Sequence, residues 1–594
     1  MVEPDQDTSK DLLAFGLGWL IGIAIWALIL SAALAHLNEV SGGELLALWF
    51  FWTAVYGVLS IPAALVAGWL GARTRTRVPH RSTFSAVSLG VATAAAFVAC
   101  LMLLSRWTPA WQAVTPVSLR LLPIGAFDLI ALAIGFLALV TGATHVARAK
   151  KSEVISGGAW IAAALLVLGG THAINRTYEI PSRVDVGKRV APLIEHAQCD
   201  ATDAPVSGLV FLAIDGFSWN VAAPLLEEGK LPNLRALLSQ SAYGQLDTLY
   251  PSYSPVVWAT VATGLTEDEH RVHGFLQFRF PGVSTPIARG PLLNSFMWWG
   301  GANSILGQIL TRLKLVHQEP LPSTRRRGHT IWNVAGANGL SVGVYDWMNS
   351  WPIEPVEGYA FTSNGRAPQN SYPSEAVLEV VNKVVIDGSS NRPPVIEDGL
   401  RHFEEAFELF RVFEPEVSFH FNKVIDLSHD LWADPQGYFV WPLERPYSEF
   451  VPEIRSAYEL TDAWIGRFRE ALPSGYAFAI VSDHGYEFNG AHHVYQPPGV
   501  VILSGGPFAC GRVIEGATVY DIAPTLLAVL GLPGTAAMSG HVLRESFATP
   551  STAPDLERLP EYPPDWRKPY ESDPATGEDW EELMERLRAM GYVN

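Results

Sequence analysis

Cysteine is nearly absent, with three in 594 residues, which excludes a disulfide-dense scaffold. Cys100 lies in an apolar run, whereas Cys199 and Cys510 lie in the less apolar remainder. The latter two can pair if that part is outside the cytoplasm; two unrelated buried thiols are the alternative. Positive charge is also short. Forty-one Lys and Arg stand against 59 Asp and Glu, a formal net charge of −18. Such a chain repels a phosphate backbone, so no nucleic-acid partner is expected. Internal repeats are lacking, apart from serial apolar segments. Those segments lie before residue 175 and carry almost all of the excess hydrophobicity.

Five apolar stretches reach the roughly 20 residues that a bilayer crossing takes. They are Leu12–His36, Glu44–Ala72, Phe84–Leu104, Leu121–Ala143 and Val154–Ile174. The first is too long for a signal-peptide core and more spans follow it, so a cleaved signal is not expected. Arg73, Arg75, Arg77 and Arg81 follow the second stretch, and Arg148, Lys150 and Lys151 follow the fourth. The first and third loops are poor in Lys and Arg. The positive-inside rule then makes the second and fourth loops cytoplasmic. An odd number of spans puts the amino terminus inside and everything after residue 175 outside, in the periplasm or cell exterior. The expected localisation is therefore a bacterial inner or plasma membrane. Asp128 within the fourth span is a functional candidate by default, although its place near the outer end suits a structural or interfacial role better. Pro62 is expected to kink the second.

From about residue 205 strand and helix patterns alternate, which predicts an α/β domain with a mostly parallel sheet covered on both faces. The clearest strands are Leu209–Ile214, Val417–Asn422, Ala477–Ser482 and Val500–Leu503. Helical patterns include Leu231–Gln240, Ser456–Leu472 and the run from Asp521, with Asp521 as N-cap and Gly531 as stop. The chain divides into a five-span domain (1–175), a linker (176–204), a catalytic domain (205–548) and a tail (549–594). Insertions are expected near 279–330 and 355–415. The tail ends in an amphipathic helix, EELMERLRAMGYV, that is expected to dock back on the domain.

The first strand runs GLVFLAIDG and the third AFAIVSDHG, so Asp215, Asp483 and His484 emerge at carboxyl ends of strands. Open α/β sheets place their ligands there. Carboxylate and imidazole are ligands of zinc and similar cations. FHFNKVIDLSHDLW adds Asp426 and His429, and NGAHHVYQPPGVVILSGG adds His492 and His493. A single histidine of this kind is more often a surface or satisfied core residue. Together the residues make two three-ligand sets, and two cations can clamp a phosphoryl group.

A nucleophile is offered by PSYSPVVWATVATG. Ser254 precedes Pro255 at a predicted helix start, among unpaired backbone N–H groups that favour an alkoxide and a bound phosphate. Ser254 can equally be a plain N-cap, and Ser252 and Tyr253 are rivals. No G-x-S-x-G elbow surrounds Ser254, which disfavours a Ser–His–Asp triad. A metal can instead activate the hydroxyl.

These motifs, in this order, resemble the alkaline phosphatase superfamily, and within it the type I phosphodiesterase/nucleotide pyrophosphatase family. The resemblance covers roughly residues 205–545 and rests on IDG at Asp215, PSYSPVVWATVATG, HGF at His273, SDHG at Asp483, PPGVVILSGG at Pro497 and DIAPTLL at Asp521. It implies an alkaline-phosphatase-like fold behind the transmembrane helices and a covalent phosphoryl-Ser254 intermediate. It also implies two divalent metal ions, zinc by type. Asp215, Asp483 and His484 would bind one, which also contacts Ser254. Asp426, His429 and His492 would bind the other. His492 is preferred over His493 because Gly490 completes a Gly-x-His pattern.

Two departures stand out. The family spaces its second Asp and His four apart, whereas Asp426 and His429 are three apart, so Asp430 is an alternative. Nucleotide-cleaving members read Thr-Phe-Pro-Asn where this chain has Ser254, Pro255, Val256 and Val257, which argues against nucleotide substrates. A Cys/Ser-x-Pro-x-Arg sulfatase signature is missing. The expected function is a membrane-anchored phosphohydrolase of phosphodiesterase type, acting on a phosphoester that can be lipid-linked. Phe296, Met297, Trp298, Trp299, Leu310 and Leu313 are the insertion's candidate lipid contacts, the alternative being that they simply pack the insertion against the sheet. The alternatives are a head-group transferase of phosphoethanolamine-transferase type and a non-catalytic membrane scaffold.

Overall fold

The computed structural model describes residues 6–75, 183–195, 206–250, 252–288, 310–363, 370–386, 392–433, 452–486 and 496–568. Two compact units emerge: Met1–Ile180 with Gln277–Glu319, and Pro181–Leu276 with Pro320–Asn594.

In the first unit, α1 (Gln6–Asn38) and α2 (Gly42–Arg75) cover the first two expected spans. One stretch of α1, Gly16–Asn38, is long and apolar enough to cross a membrane, and α2 opens with the shorter apolar segment Gly42–Val58. Length and composition alone make this weak evidence for a membrane anchor. Leu13, Leu17, Leu20 and Phe50 face outward, and the Trp49 indole N–H donates to the Ala24 carbonyl at 2.8 Å. The third to fifth spans, Asp128, both basic clusters beyond Arg75 and the terminal amphipathic helix lie outside the described residues.

The second unit is built on a nine-stranded sheet. Its strands are β1 (Gly208–Ile214), β2 (Ser241–Asp247), β5 (Val342–Tyr345), β6 (Gly358–Phe361), β7 (Ser371–Tyr372), β8 (Val417–Asn422), β9 (Tyr476–Val481), β10 (Gly499–Ser504) and β11 (Arg512–Thr518), in the order β11-β2-β10-β9-β1-β8-β5-β6-β7. A separate ribbon pairs β3 (Leu276–Arg279) with β4 (His317–Pro320). β1 lies parallel between β8 and β9. Its apolar run is continuous because both faces are buried. Leu209, Phe211 and Ala213 enter one core cluster, and Val210, Leu212 and Ile214 the other. Each large buried side chain contributes about 1.5–3 kcal/mol relative to exposure.

On the first face pack α5 (Ser254–Thr263), α6 (Ile331–Ala337) and α11 (Ile522–Val529), through Val257, Trp258, Ile331 and Leu526. On the second pack α3 (Trp219–Glu227), α4 (Pro232–Leu238), α7 (Ser374–Val381), α8 (Pro394–Phe413), α9 (Val424–Ala433) and α10 (Pro452–Ala471). The four expected strands are all present, with ends shifted by one residue at most. β10 departs from the parallel pattern: Val501 pairs opposite Val481, so the chain turns back along β9. Asp521 stands before α11 as expected but does not cap it. Its carboxylate accepts from the Thr518 N–H at 2.9 Å, the Thr518 hydroxyl at 2.7 Å and the His541 N–H at 2.9 Å, pinning the preceding turn. Cys510 is disulfide-bonded; its partner, and so the Cys199 pairing, lies outside the described residues.

The segment Gln277–Glu319 belongs to the first unit and packs on its helical hairpin. Glu44, in the first turn of α2, accepts from the Ser284 N–H at 2.6 Å and the Thr285 hydroxyl at 3.1 Å, and also from the Ser284 hydroxyl. Asn38 Oδ1 accepts from the Ala288 N–H at 2.8 Å. Phe280 lies 5.2 Å from the Phe51 ring and 5.7 Å from the Trp52 ring.

Candidate active site

Register brings the site together. Ile214 pairs with Asn422 and Ala213 with Val481, so three parallel strands end at one level. Asp215 follows β1, and its N–H donates to the Asn422 carbonyl at 3.0 Å. Asp483 and His484 follow β9. Each is fully buried, and one ligand atom from each of Asp215, Asp483 and His484 lies within 4.8 Å of the others.

Ser254 is the first residue of α5, and Tyr253 takes the cap position. The hydroxyl therefore does not cap the helix. It donates to Asp215 Oδ1 at 3.3 Å and lies 3.3 Å from His484 Nε2. Its rival Ser252 is turned elsewhere and accepts from the Gln496 N–H at 3.2 Å. Of the candidates, Ser254 is the one set beside Asp215 and His484, at a helix N-terminus whose partial positive charge favours an oxyanion.

The His484 ring fits a metal ligand. Nδ1 lies 2.8 Å from the Gly485 carbonyl, an acceptor only, so Nδ1 carries the proton. That tautomer leaves a lone pair on Nε2, which lies 3.6 Å from Asp215 and 3.5 Å from Asp483. Three electron-rich groups facing one another out of water are a donor set that could hold a cation. Burial, and after it the charge of Asp426, push the Asp483 carboxyl up from its ordinary range.

The second candidate ligand set starts on α9. Asp426 and His429 are both fully buried, and a separation of three residues puts them on one helical face. Asp426 presses against the backbone next to Asp215. A Cβ on Gly216 would meet Asp426 Cβ at 2.9 Å, and Gly216 has φ +70°. Glycine is required there twice over, by space and by the left-handed backbone. The Asp430 side chain, His492 and His493 lie outside the described residues.

Sequence reasoning passed over three supports of this site. Gly216 permits the approach of Asp426. Ser482 accepts from the Phe217 N–H at 2.9 Å and donates to the His484 carbonyl at 2.7 Å, fixing the loop that carries both ligands. Tyr486 lies 4.3 Å from the His429 ring. The first two sit inside the IDG and SDHG motifs and were legible as neighbours, but their roles needed coordinates.

Comparison with known proteins matches residues 209–497 to the family model of type I phosphodiesterase / nucleotide pyrophosphatase, a family of phosphoester-handling enzymes. Over 102 residues the chain is 35% identical to a 2,3-bisphosphoglycerate-independent phosphoglycerate mutase of Laribacter hongkongensis, covering 16% of this chain and 20% of that one. Over 145 residues it is 31% identical to the same enzyme of Cereibacter sphaeroides, covering 22% and 27%. The chain thus spans about a fifth to a quarter of the length of these curated relatives. Among solved structures, murine ectonucleotide pyrophosphatase / phosphodiesterase 5 aligns at 13% identity and TM-score 0.32, over 55% of this chain and 96% of that one. Phosphonoacetate hydrolase from Sinorhizobium meliloti aligns at 16% identity and TM-score 0.31, over 47% and 57%. Superpositions at such scores carry no argument about activity.

Proposed function

We propose that the chain is a membrane-anchored, two-metal phosphohydrolase of phosphodiesterase type, acting outside the cytoplasm through a phosphoryl-Ser254 intermediate. The observation that carries this reading is the Ser254 hydroxyl. It is buried at a helix start, is not used as a cap, and lies 3.3 Å from both Asp215 and His484.

Asp215, Asp483 and His484 would hold one divalent ion, and Asp426, His429 and His492 the other, with zinc the best match to this donor set. Bound there, such ions would lower the hydroxyl pKa and neutralise phosphoryl oxygens. The chain's own residues do the rest. Asp215 orients the Ser254 hydroxyl through its hydrogen bond. Ser254 Oγ forms the new bond to phosphorus as the bond to the leaving alcohol breaks, and the alcohol leaves with that electron pair and a proton. Water then displaces Ser254 in a second, reverse step. The N-terminal N–H groups of α5 offer donors to the phosphoryl oxygens. We take the natural substrate to be a membrane-resident phosphoester.

Two observations support the location. Glu44 and Asn38 flank the connection between α1 and α2, and both are hydrogen-bonded to the insertion. If the two helices cross a membrane, that connection and the insertion share a side. The basic residues after α2 then place this side outside. The disulfide at Cys510 suits an oxidising compartment.

Ser254→Ala should lower turnover by roughly several orders of magnitude while bound metal is retained, and Ser252→Ala should do far less. Equal effects would sink the assignment. Reporter fusions within 73–81 and after residue 175 test the topology. An active periplasmic reporter in 73–81 contradicts it.

A further inference from the structure

The insertion that packs on the α1–α2 hairpin ends in a turn that carries two of the expected lipid contacts, of which Leu310 proves buried and Leu313 exposed. Residues 310–316 form a tight turn closed by the Lys314 N–H donating to the Thr311 carbonyl at 2.9 Å and the Leu315 N–H to the Leu310 carbonyl at 2.9 Å. Lys314 has φ +55°, a left-handed conformation that a lysine rarely adopts. The turn sorts its side chains. Leu310 and Val316 point inward, 4% and 3% exposed, while Leu313 and Leu315 stand 62% and 40% exposed. Arg312 and Lys314 are exposed beside them. Two aliphatic side chains and two cations therefore share the outer surface of one turn.

We propose that Arg312–Leu315 is a contact for an anionic phospholipid surface, with Leu313 and Leu315 in the headgroup layer and Arg312 and Lys314 on lipid phosphates. The inference rests on the membrane placement proposed above. Two observations select lipid over a protein partner. The first is continuity. The β3–β4 ribbon, held by Arg279 to Glu319 at 2.6 Å, joins this turn to residues 280–288, which are clamped to Glu44 and Asn38 where α1 and α2 meet. The turn thus belongs to the unit that carries the helix long and apolar enough to cross a bilayer. The second is charge. The chain as a whole is at −18, yet this turn pairs its apolar tips with cations, the composition of an interfacial anchor. Such a contact would hold the insertion at the level where a lipid-linked phosphoester presents its head group.

The test uses the full chain reconstituted in vesicles of phosphatidylcholine and phosphatidylglycerol. Leu313→Cys is labelled with an environment-sensitive dye, with the unsubstituted chain labelled in parallel as blank. The same dye at Val412→Cys, an exposed position of α8, serves as the aqueous reference. The expected result is blue-shifted emission at position 313 that shallow spin-labelled lipids quench, with water-like emission at 412. Arg312→Glu with Lys314→Glu should weaken the lipid-contacting population by roughly fivefold per cation at low salt. Water-like, unquenched emission at 313 in a chain that resists alkaline extraction from the vesicles overturns the contact and leaves the membrane reading standing. A chain that washes off overturns both.

Discussion

Two buried carboxylates on the same edge of the sheet meet opposite fates. Asp346 follows β5 and Asp483 follows β9, with β8 and β1 between them. Asp346 accepts from the Ser363 N–H at 2.7 Å and the Ser363 hydroxyl at 2.7 Å. Burial opposes its ionisation, but the Lys423 charge, then His402 and these donors, hold it below its ordinary range. Burial pushes the His402 pKa down, which leaves Lys423 as the leading counter-charge. Asp483 is more deeply buried, 0% exposed against 8% for Asp346, and has another acid, Asp426, as its charged neighbour; it is pushed up instead. A buried charge persists only where a counter-charge meets it. The chain supplies one for Asp346 from its own side chains. At Asp483 it gathers acids and an imidazole lone pair, a donor set that a bound cation would neutralise.

Removing the outside charge should break the site and spare its counterpart. Chelation should abolish phosphoester cleavage, a loss of roughly several orders of magnitude, and elemental analysis before it should find about two zinc-like ions per chain. Full activity in a metal-free protein would falsify the two-metal reading. Removing the inside charge should do the converse. Lys423→Met removes a positive charge that helps hold Asp346 ionised and should cost about 1–3 kcal/mol in denaturant unfolding. Adding Asp346→Asn should recover most of that loss, because the stranded charge goes with it. Unchanged stability of Lys423→Met would show that Asp346 is neutralised otherwise.

The effect that is small near neutral pH and grows only in acid concerns a buried base with no counter-charge among the described residues. His420 on β8 is buried among Phe410 and Phe468, and burial pushes its pKa down from 6.5 to about 3. Below 6.5 the unfolded chain takes up a proton that the folded chain refuses. Stability is therefore lost as pH falls from about 6.5 towards 3, with a slope of at most about 1.4 kcal/mol per pH unit. His420→Leu should flatten that part of the curve. An identical acid-unfolding profile would count against the assignment.

How much of the site was legible follows from where its residues sit. Asp215, Asp483 and His484 end strands whose two faces are both buried, so an unbroken apolar run stops at a charge, a pattern visible in one dimension. Asp426 and His429 were harder. A spacing of three looks like a departure until the segment is known to be helical, where three and four residues both stay on one face. Lys423 and Asp346 gave no signal, being 77 positions apart (423 − 346) with no motif linking them. The cap assigned to Asp521 was right in place and wrong in partner, because its carboxylate was drawn to Thr518 and His541, the latter from a loop 20 positions on.

The sequence by itself determined the elements and their chemistry. Apolar periodicity, glycine and proline positions and strand-end acids depend on near neighbours, and near neighbours are written in order. Tertiary structure alone decided which ends meet. Placing β1 between β8 and β9 in matched register set Asp215 beside Asp483, and Gly216 let Asp426 reach them. It also decided what Ser254 does, since a hydroxyl at a helix start can cap its own backbone or turn to a partner. Here Asp215 and His484, arriving from distant parts of the chain, provide that partner.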